Sequence, residues 1–145
     1  MVLLRGMVGS VNFSASTTHA LRATAWLAAH GDGEAVLGRE MARKLKIPPD
    51  YLSKVLATLA RSGVLTAVRG AKGGYRLARA PERIKLVEVV TPFEGTRARS
   101  GCLLRPDRPC RDSGACSAHR SWGGVNEAYR AFLEKTTVAD IRDQA

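Results

Sequence analysis

Three cysteines and a histidine lie close together in the last third of the chain. Cys102, Cys110, Cys116 and His119 fall within 18 positions, and they include every cysteine of the 145-residue sequence. Thiolates and imidazole nitrogens are the donors that hold zinc ions and iron–sulfur clusters. The residues between them include prolines, aspartates, arginines and one glycine, which form loops rather than a packed core. The segment therefore predicts a loop that binds a metal ion or a metal cluster.

Two other chemistries are open to the same cysteines. The gaps between the cysteines, seven and five residues, are close to the spacing in zinc fingers that have three cysteines and one histidine. Those fingers usually have three residues between the last cysteine and the histidine, whereas this chain has two. Such fingers stack bases on aromatic side chains, and no aromatic residue lies between Cys102 and His119. Without a metal, thiolates flanked by Arg105, Arg108 and Arg111 would be favoured in the charged form and open to oxidation. Structural zinc and thiol oxidation therefore stay as alternatives.

The positive charge of the chain is concentrated in one region. The formal net charge is +10, and residues 36–85 contain twelve lysines and arginines against three acidic residues. A basic region of this kind most often binds a polyanion, usually a nucleic acid. No run approaches the roughly 18 apolar residues of a membrane span. An odd number of cysteines argues against a closed set of disulfides and for a reducing compartment. We therefore expect a cytoplasmic protein that binds nucleic acid and no membrane.

Helices precede a hairpin within this basic region. Helical patterns cover residues 17–30, capped by Thr17 or Thr18, then residues 38–45, then a segment that starts at Pro48-Pro49 and ends near residue 62. The β-prone segments 64–68 and 75–77 follow, separated by the turn residues of 69–74. Helix, turn, helix and then a basic-tipped hairpin is the order of a winged helix-turn-helix domain. A generic small α/β domain with a hairpin is the alternative.

The predicted third helix and the hairpin tip carry side chains suited to DNA. A recognition helix places its N-terminal side chains on base edges in the major groove. Ser53 can contact a base or a phosphate, and Lys54 can reach guanine acceptors or a phosphate. Arg69 and Lys72 stand beside glycines at the hairpin tip, and arginine is the usual cation for a narrow minor groove. The predicted DNA-binding residues are Tyr51, Ser53, Lys54, Arg69 and Lys72.

A long helix is predicted after the cysteines, from about residue 113 to residue 135. Trp122, Val125, Tyr129 and Phe132 recur at steps of three, four and three, which is a heptad-like apolar stripe. Such a stripe either seals the core or pairs with a second copy of the chain. Residues 137–140 look like the cap of a brief last helix.

The chain resembles the IscR/NsrR-type winged-helix regulators, a bacterial family that controls iron–sulfur supply and responses to nitric oxide and redox stress. The resemblance runs from about residue 11 to residue 141 and rests on five segments: THALRA from Thr18, IPPDYLSKVL from Ile47, LARSGVL from Leu59, VRGAKGGY from Val68 and TVADI from Thr137. It implies a homodimer, crossed through the long C-terminal helix, that binds an imperfect palindrome in double-stranded DNA. It also implies base-reading positions for Tyr51, Ser53 and Lys54 and a minor-groove position for Arg69.

The resemblance also suggests what the cysteines bind. The family holds an iron–sulfur cluster on three cysteines before the dimer helix, and Cys102, Cys110 and Cys116 match those places, although the first gap is longer than the usual five residues. Regulators of the IscR kind take as fourth ligand a histidine at the offset of His119, whereas nitric oxide sensors use a carboxylate on the partner's first helix. Thr18 aligns with that carboxylate and is no comparable ligand. The implied cofactor is therefore a 2Fe–2S cluster, with 4Fe–4S as second choice and zinc as the alternative metal.

These observations predict a fold that is mainly α with a small β-hairpin wing. A winged helix-turn-helix domain would occupy residues 11–83, and residues 84–145 would contain the cluster-binding loop (about 96–119) and the dimerisation helix. The predicted function is a transcription regulator, in the first instance a repressor, whose DNA affinity is set by the cluster. His19 and His30 are runner-up ligands from the first helix. No catalytic triad, phosphate-binding loop or paired carboxylate stands out, so we expect no enzyme.

Overall fold

The computed structural model describes residues 13–95, 102–105 and 116–142. The elements run in the order α1 (Ala15–His30), α2 (Gly38–Leu45), α3 (Pro49–Arg61), β1 (Leu65–Val68), β2 (Gly74–Leu77), α4 (Leu86–Glu94), α5 (His119–Lys135) and α6 (Val138–Ile141). A 3-10 turn at Pro81–Arg83 joins the hairpin to α4. This architecture confirms the predicted fold, mainly α with a small β wing. Within the described ranges, no helix is both long and apolar enough to cross a membrane.

One buried cluster holds the helices together. Each of the helices α1 to α4 turns an apolar face inward, and α5 and α6 add one buried side chain each, Leu133 and Val138. Burying one such aliphatic side chain stabilises the fold by about 1.5–3 kcal/mol. The cluster contains side chains from both sides of the predicted division at residues 83 and 84, and that division stays a prediction. Its fully buried members include Met41, Leu52, Leu56, Leu59, Ile84, Val89 and Leu133.

The helix ends follow local rules except at α1. Pro49 stands in the first turn of α3, as predicted, and Gly63 follows the helix with a φ of 82°. The predicted cap of α1 by Thr17 or Thr18 is wrong, because the helix begins at Ala15 and Ser14 is its N-cap. The Ser14 hydroxyl accepts a hydrogen bond from the Thr17 backbone N–H at 3.2 Å. The first described helix after the cysteines begins at His119, and the predicted start near residue 113 lies outside the described residues.

The wing is an antiparallel hairpin anchored at its base. Its register pairs Leu65 with Leu77 and Val68 with Gly74. Val36, in the loop before α2, adds two backbone hydrogen bonds to Tyr75, with N···O distances of 2.9 and 2.8 Å. Gly74 has a φ of 135°, and a Cβ there would overlap the backbone of Val36. Glycine therefore permits the contact that fixes the direction of the wing.

The end of α5 is fastened to the segment that leaves the wing. The Leu86 N–H donates to the Thr136 carbonyl at 2.9 Å, and the Val138 N–H donates to the Ile84 carbonyl at 2.8 Å. Thr137 then caps α6 through hydrogen bonds with the Asp140 carboxylate, which confirms the predicted cap of a brief last helix. These bonds connect the C-terminal part of the chain through backbone groups to the winged half, which here means helices α1 to α4 together with the hairpin.

An ion pair joins the strand exit to α4. The Arg79 guanidinium lies 2.6 Å from the Glu88 carboxylate, whose other oxygen accepts from the Lys85 backbone N–H at 2.9 Å. Partial burial by itself would raise the pKa of Glu88. Two hydrogen bonds, from the Arg79 side chain and from the Lys85 backbone, and the positive charges of the Arg79 and Lys85 side chains outweigh this effect of burial. They hold the pKa of Glu88 below its ordinary value.

Candidate functional site

The third helix presents a polar surface because its other side is buried. Leu52, Val55, Leu56 and Leu59 fill the core at helical spacing. The predicted DNA-reading side chains therefore point outward: Tyr51, which is 37% exposed, and the exposed Ser53 and Lys54. Their contact with DNA stays a prediction.

The hairpin tip carries the other predicted contacts. Arg69 and Lys72 are exposed in the connection between β1 and β2. The Gly73 N–H donates to the Gly70 carbonyl at 2.9 Å, which closes the tip into a tight turn. Two cations on a closed turn, anchored through Tyr75, suit contact with a phosphate backbone or a narrow minor groove.

Tyr51 is held from α1 by two residues. Its hydroxyl lies 2.7 Å from the Ser16 hydroxyl, and its ring meets the His19 ring in a T-shaped contact with centroids 5.3 Å apart. Burial, with a smaller effect of the nearby Arg22 charge, lowers the pKa of His19. Sequence reasoning missed Ser16 and considered His19 only as a runner-up ligand. Nothing in the spacing marks a contact between residues 35 positions apart.

The N-terminal turn of α1 also contacts the end of α4. Glu94 accepts hydrogen bonds from the Ser14 backbone N–H at 2.8 Å and from the Thr17 hydroxyl. Gly95 follows with a φ of 63°, a left-handed conformation that suits glycine. The chain thus leaves α4 toward the predicted cysteine loop from a point that is attached to α1. Sequence reasoning missed this contact, which joins residues 77 positions apart.

The structure describes three of the four predicted metal ligands. Cys102 and His119 are partly buried and Cys116 is exposed, whereas Cys110 lies outside the described residues. The His119 N–H donates to the Cys116 carbonyl at 3.0 Å, so these two predicted ligands share the turn that leads into α5. In the described ranges, no three His, Cys, Asp or Glu side chains come close enough together to hold a metal ion. The donor types fit an iron–sulfur cluster or zinc, and the ligand set stays a prediction.

The second runner-up ligand, His30, has partners on its own helix. Its ring stacks on Trp26 with centroids 5.0 Å apart, and its Nδ1 lies 3.2 Å from the Trp26 carbonyl oxygen. Trp26 and His30 flank a groove of about 500 Å³ between α1, α2 and α6. His19 at one end of α1 and His30 at the other therefore each pack on an aromatic ring.

The apolar stripe of α5 is only partly covered. Tyr129 packs on Phe13, with ring centroids 5.9 Å apart, and Trp122 is partly buried. Val125 is 56% exposed and Phe132 is 51% exposed. The core of one chain therefore does not account for the whole stripe. An uncovered apolar row on a long helix is typical of an interface.

Comparisons with known proteins agree with this architecture. Residues 13–144 match the sequence profile of the Rrf2 family, described as iron-dependent transcriptional regulators. The transcriptional repressor NsrR of Streptomyces coelicolor is 33% identical over 126 residues, which cover 86% of this chain and 84% of that protein.

Solved structures show the same fold. CymR, the global cysteine regulator of B. subtilis, superimposes with a TM-score of 0.75 at 20% identity, covering 93% of this chain and 98% of that one. T. potens IscR gives a TM-score of 0.73 at 24% identity, covering 93% and 88%.

These comparisons confirm the resemblance read from the sequence motifs. They also confirm that the protein belongs with transcription regulators and not with enzymes, as the sequence predicted. The match spans every described helix and strand, from the start of α1 to the end of α6. The chain is therefore a member of the Rrf2 family of transcription regulators.

Proposed function

We propose that this protein is a cytoplasmic, homodimeric repressor whose affinity for a palindromic DNA operator depends on a bound iron–sulfur cluster. The proposal rests on the observation that one Rrf2-family chain contains both a basic winged helix and a segment with clustered cysteines. A basic winged helix exposes Tyr51, Ser53 and Lys54, and the segment that follows it contains every cysteine of the sequence. The relative NsrR is itself named as a repressor.

The DNA-binding part of the proposal rests on α3 and the wing. The start of α3 would enter the major groove with Tyr51, Ser53 and Lys54 toward the bases. Arg69 and Lys72 would meet the adjacent backbone or minor groove. In a two-fold dimer, the two α3 helices would read half-sites about 34–36 Å apart, one turn of the duplex.

The dimer part rests on α5. Its stripe leaves Val125 and Phe132 half exposed, although their neighbour Leu133 is fully buried in the core. A second α5, related by a two-fold axis, would cover this stripe with an identical one. Such a dimer would place both cysteine segments beside the shared helices.

Three cysteines and His119 would hold the cluster, with 2Fe–2S favoured because a histidine is the fourth donor. When bound, the cluster would supply a centre that reacts with oxidants and with nitric oxide. The chain itself would position the ligands: Cys116 lies in the turn just before α5 and its carbonyl accepts from the N–H of His119, the first residue of the helix, so binding both side chains would fix this end of the dimer helix. On the other side of the cysteine segment, Glu94 attaches the end of α4 to α1. Regulation further requires that the two cluster states differ in DNA affinity.

A second candidate keeps the same fold and replaces the cluster with thiol chemistry. The exposed Cys116 supports it, since an accessible thiolate is open to oxidation to a sulfenic acid or a disulfide. A structural zinc site is the third possibility for the same donors. All three share the DNA-binding surface and differ in what the cysteines hold.

Anaerobic purification and reconstitution with ferrous iron and sulfide test the proposal. We expect coloured protein that contains iron and acid-labile sulfide, and whose affinity for a duplex selected from random-sequence DNA changes when the cluster is removed. Cys110→Ala should lose the colour and remain a folded dimer. Arg69→Ala should keep the colour and lose about 1–3 kcal/mol of DNA-binding free energy.

Each contrary result identifies an alternative. Colourless protein with stoichiometric zinc would favour the structural metal. Metal-free protein whose DNA binding responds to peroxide through Cys116 would favour thiol oxidation. Colour retained in Cys110→Ala would remove Cys110 from the ligand set.

A further inference from the structure

The first turn of α3 contains an aromatic side chain whose direction is set from outside the helix. Tyr51 is partly exposed beside Ser53 and Lys54, and its hydroxyl is 2.7 Å from the Ser16 hydroxyl of α1. A hydrogen bond between two hydroxyls fixes the outer end of the ring. Without it, a tyrosine at a helix start can swing through its two side-chain torsions.

His19 fixes the same ring at a second point. It lies one turn after Ser16 on α1, and its ring meets the Tyr51 ring at 83° with centroids 5.3 Å apart. Edge-to-face pairs of this kind stabilise a defined ring orientation beyond the area they bury. The His19 Nδ1 is buried and has no hydrogen-bond partner among the described residues. The ring therefore serves as a packing surface for Tyr51 rather than as a hydrogen-bonding group on that side.

The contact stands where the helix would meet DNA. A shallow surface groove of about 550 Å³ lies between α1 and the start of α3, and its lining includes His19, Asp50, Tyr51 and Lys54. The lining thus combines the α1 contact with the side chains at the N-terminal end of α3. Base readout depends on the placement of a few side chains at this end of a recognition helix.

We propose that Ser16 and His19 are positioning residues for DNA recognition: they fix the Tyr51 ring, so that α1 as well as α3 sets which bases the helix prefers. The inference rests on the proposed function, since it requires that α3 reads DNA. Loss of either contact would release the ring and weaken discrimination between operator and altered operator. Phosphate contacts, which carry general affinity, would be affected less.

A mutant cycle on Ser16 and Tyr51 tests this proposal. The probes are a duplex selected by the wild-type protein from random-sequence DNA and versions with single base-pair changes in each half-site. Ser16→Ala and Tyr51→Phe each remove one oxygen atom, and each should reduce discrimination by about two- to tenfold. The double variant should be no worse than either single variant, because both delete the same bond.

His19 is tested by loss and rescue. His19→Ala should reduce discrimination by a similar factor of about two to ten, and His19→Phe should restore it, since phenylalanine keeps a ring edge against Tyr51. Thr18→Ala is the matched control, because Thr18 is the exposed hydroxyl between these two residues. The dependence of affinity on salt should be unchanged in all these variants, because no phosphate contact is removed.

The outcomes separate the two proposals. If wild-type protein selects no duplex, the proposed DNA-binding function fails. If the wild type binds and Arg69→Ala weakens binding, while Ser16→Ala and His19→Ala keep wild-type base preferences, the positioning role is overturned. Should His19→Ala not fold, the oxygen deletions at Ser16 and Tyr51 still decide the question. Additive losses in the double variant would likewise count against the shared contact.

Discussion

The winged half of the molecule and the described residues of its cysteine segment differ in how they are packed. In the winged half, the exposed Ser53 and Lys54 are placed by buried neighbours such as Leu52 and Leu56 on the same helix. In the described part of the chain between Val90 and Leu133, no side chain belongs to the buried core. Packing alone can therefore fix the DNA-reading surface. Cys102, Cys116 and His119 lie outside that core, and the proposed metal centre would bind them together.

The largest expected effect contrasts one core residue with one cysteine. Leu56→Ala should lower the free energy of unfolding by about 2–5 kcal/mol, because it leaves a cavity in the shared core. Cys116→Ala should change it by less than about 0.5 kcal/mol in cluster-free protein, since the thiol is exposed. Urea unfolding followed by circular dichroism, at one protein concentration, gives both values. If both variants lost the same free energy of unfolding, the winged half and the cysteine segment would not differ in their dependence on packing.

A smaller effect is expected on α5, which carries both a core residue and the open stripe. Phe132→Lys should weaken dimerisation by about 2 kcal/mol or more, because a large aromatic anchor is replaced by a charge that must be buried. Glu127→Lys, on the opposite side of the helix, introduces the same residue and should leave the dimer intact. Sedimentation velocity over a dilution series measures both. A Phe132→Lys dimer as tight as the wild type would show that the stripe is not the interface.

The smallest effect lies at the surface of the winged half. The pKa of Glu88 is lowered from its ordinary value of 4.5. Its pairing with Arg79 therefore stabilises the fold at pH values above 4.5, and this stability is lost as the pH falls through the lowered pKa. Glu88→Gln should therefore cost up to about 1 kcal/mol at neutral pH and nothing in strong acid. Urea unfolding at the two pH values measures it, with Glu82→Gln at the Glu82–Arg142 surface pair as the control. A cost that does not depend on pH would mean that the ion pair is not its source.

The sequence predicted those features that depend on neighbouring residues. Leu52, Val55, Leu56 and Leu59 mark the buried face of α3 by their spacing, and Gly63 marks its end. These signals are local, because helix periodicity and helix termination are decided within a few residues. The order of elements and the basic charge then led to the winged helix, and the motifs led to the family.

Contacts between distant segments could not be read in this way. The sequence predicts Thr17 or Thr18 as the cap of α1, but the Thr17 hydroxyl donates to Glu94, 77 positions along the chain. No spacing pattern in the sequence predicts this bond or the contact of Ser16 with Tyr51. For the cysteines, the sequence indicated donor types and their offsets. Their mutual geometry depends on segments outside the described residues, so the metal site stays a prediction.

A rotation of α5 about the backbone bonds at Thr136 and Val138 would move its other end through an arc. Its C-terminal end is pinned beside the exit of the wing, whereas its other end starts at His119. The 17 residues of α5 form an arm of about 25 Å. A displacement of about 2 Å at the cysteine end thus corresponds to a tilt of roughly five degrees about the pinned end. Such a rotation would leave the C-terminal end of α5 in place and would change the direction in which the side chains of α5 point.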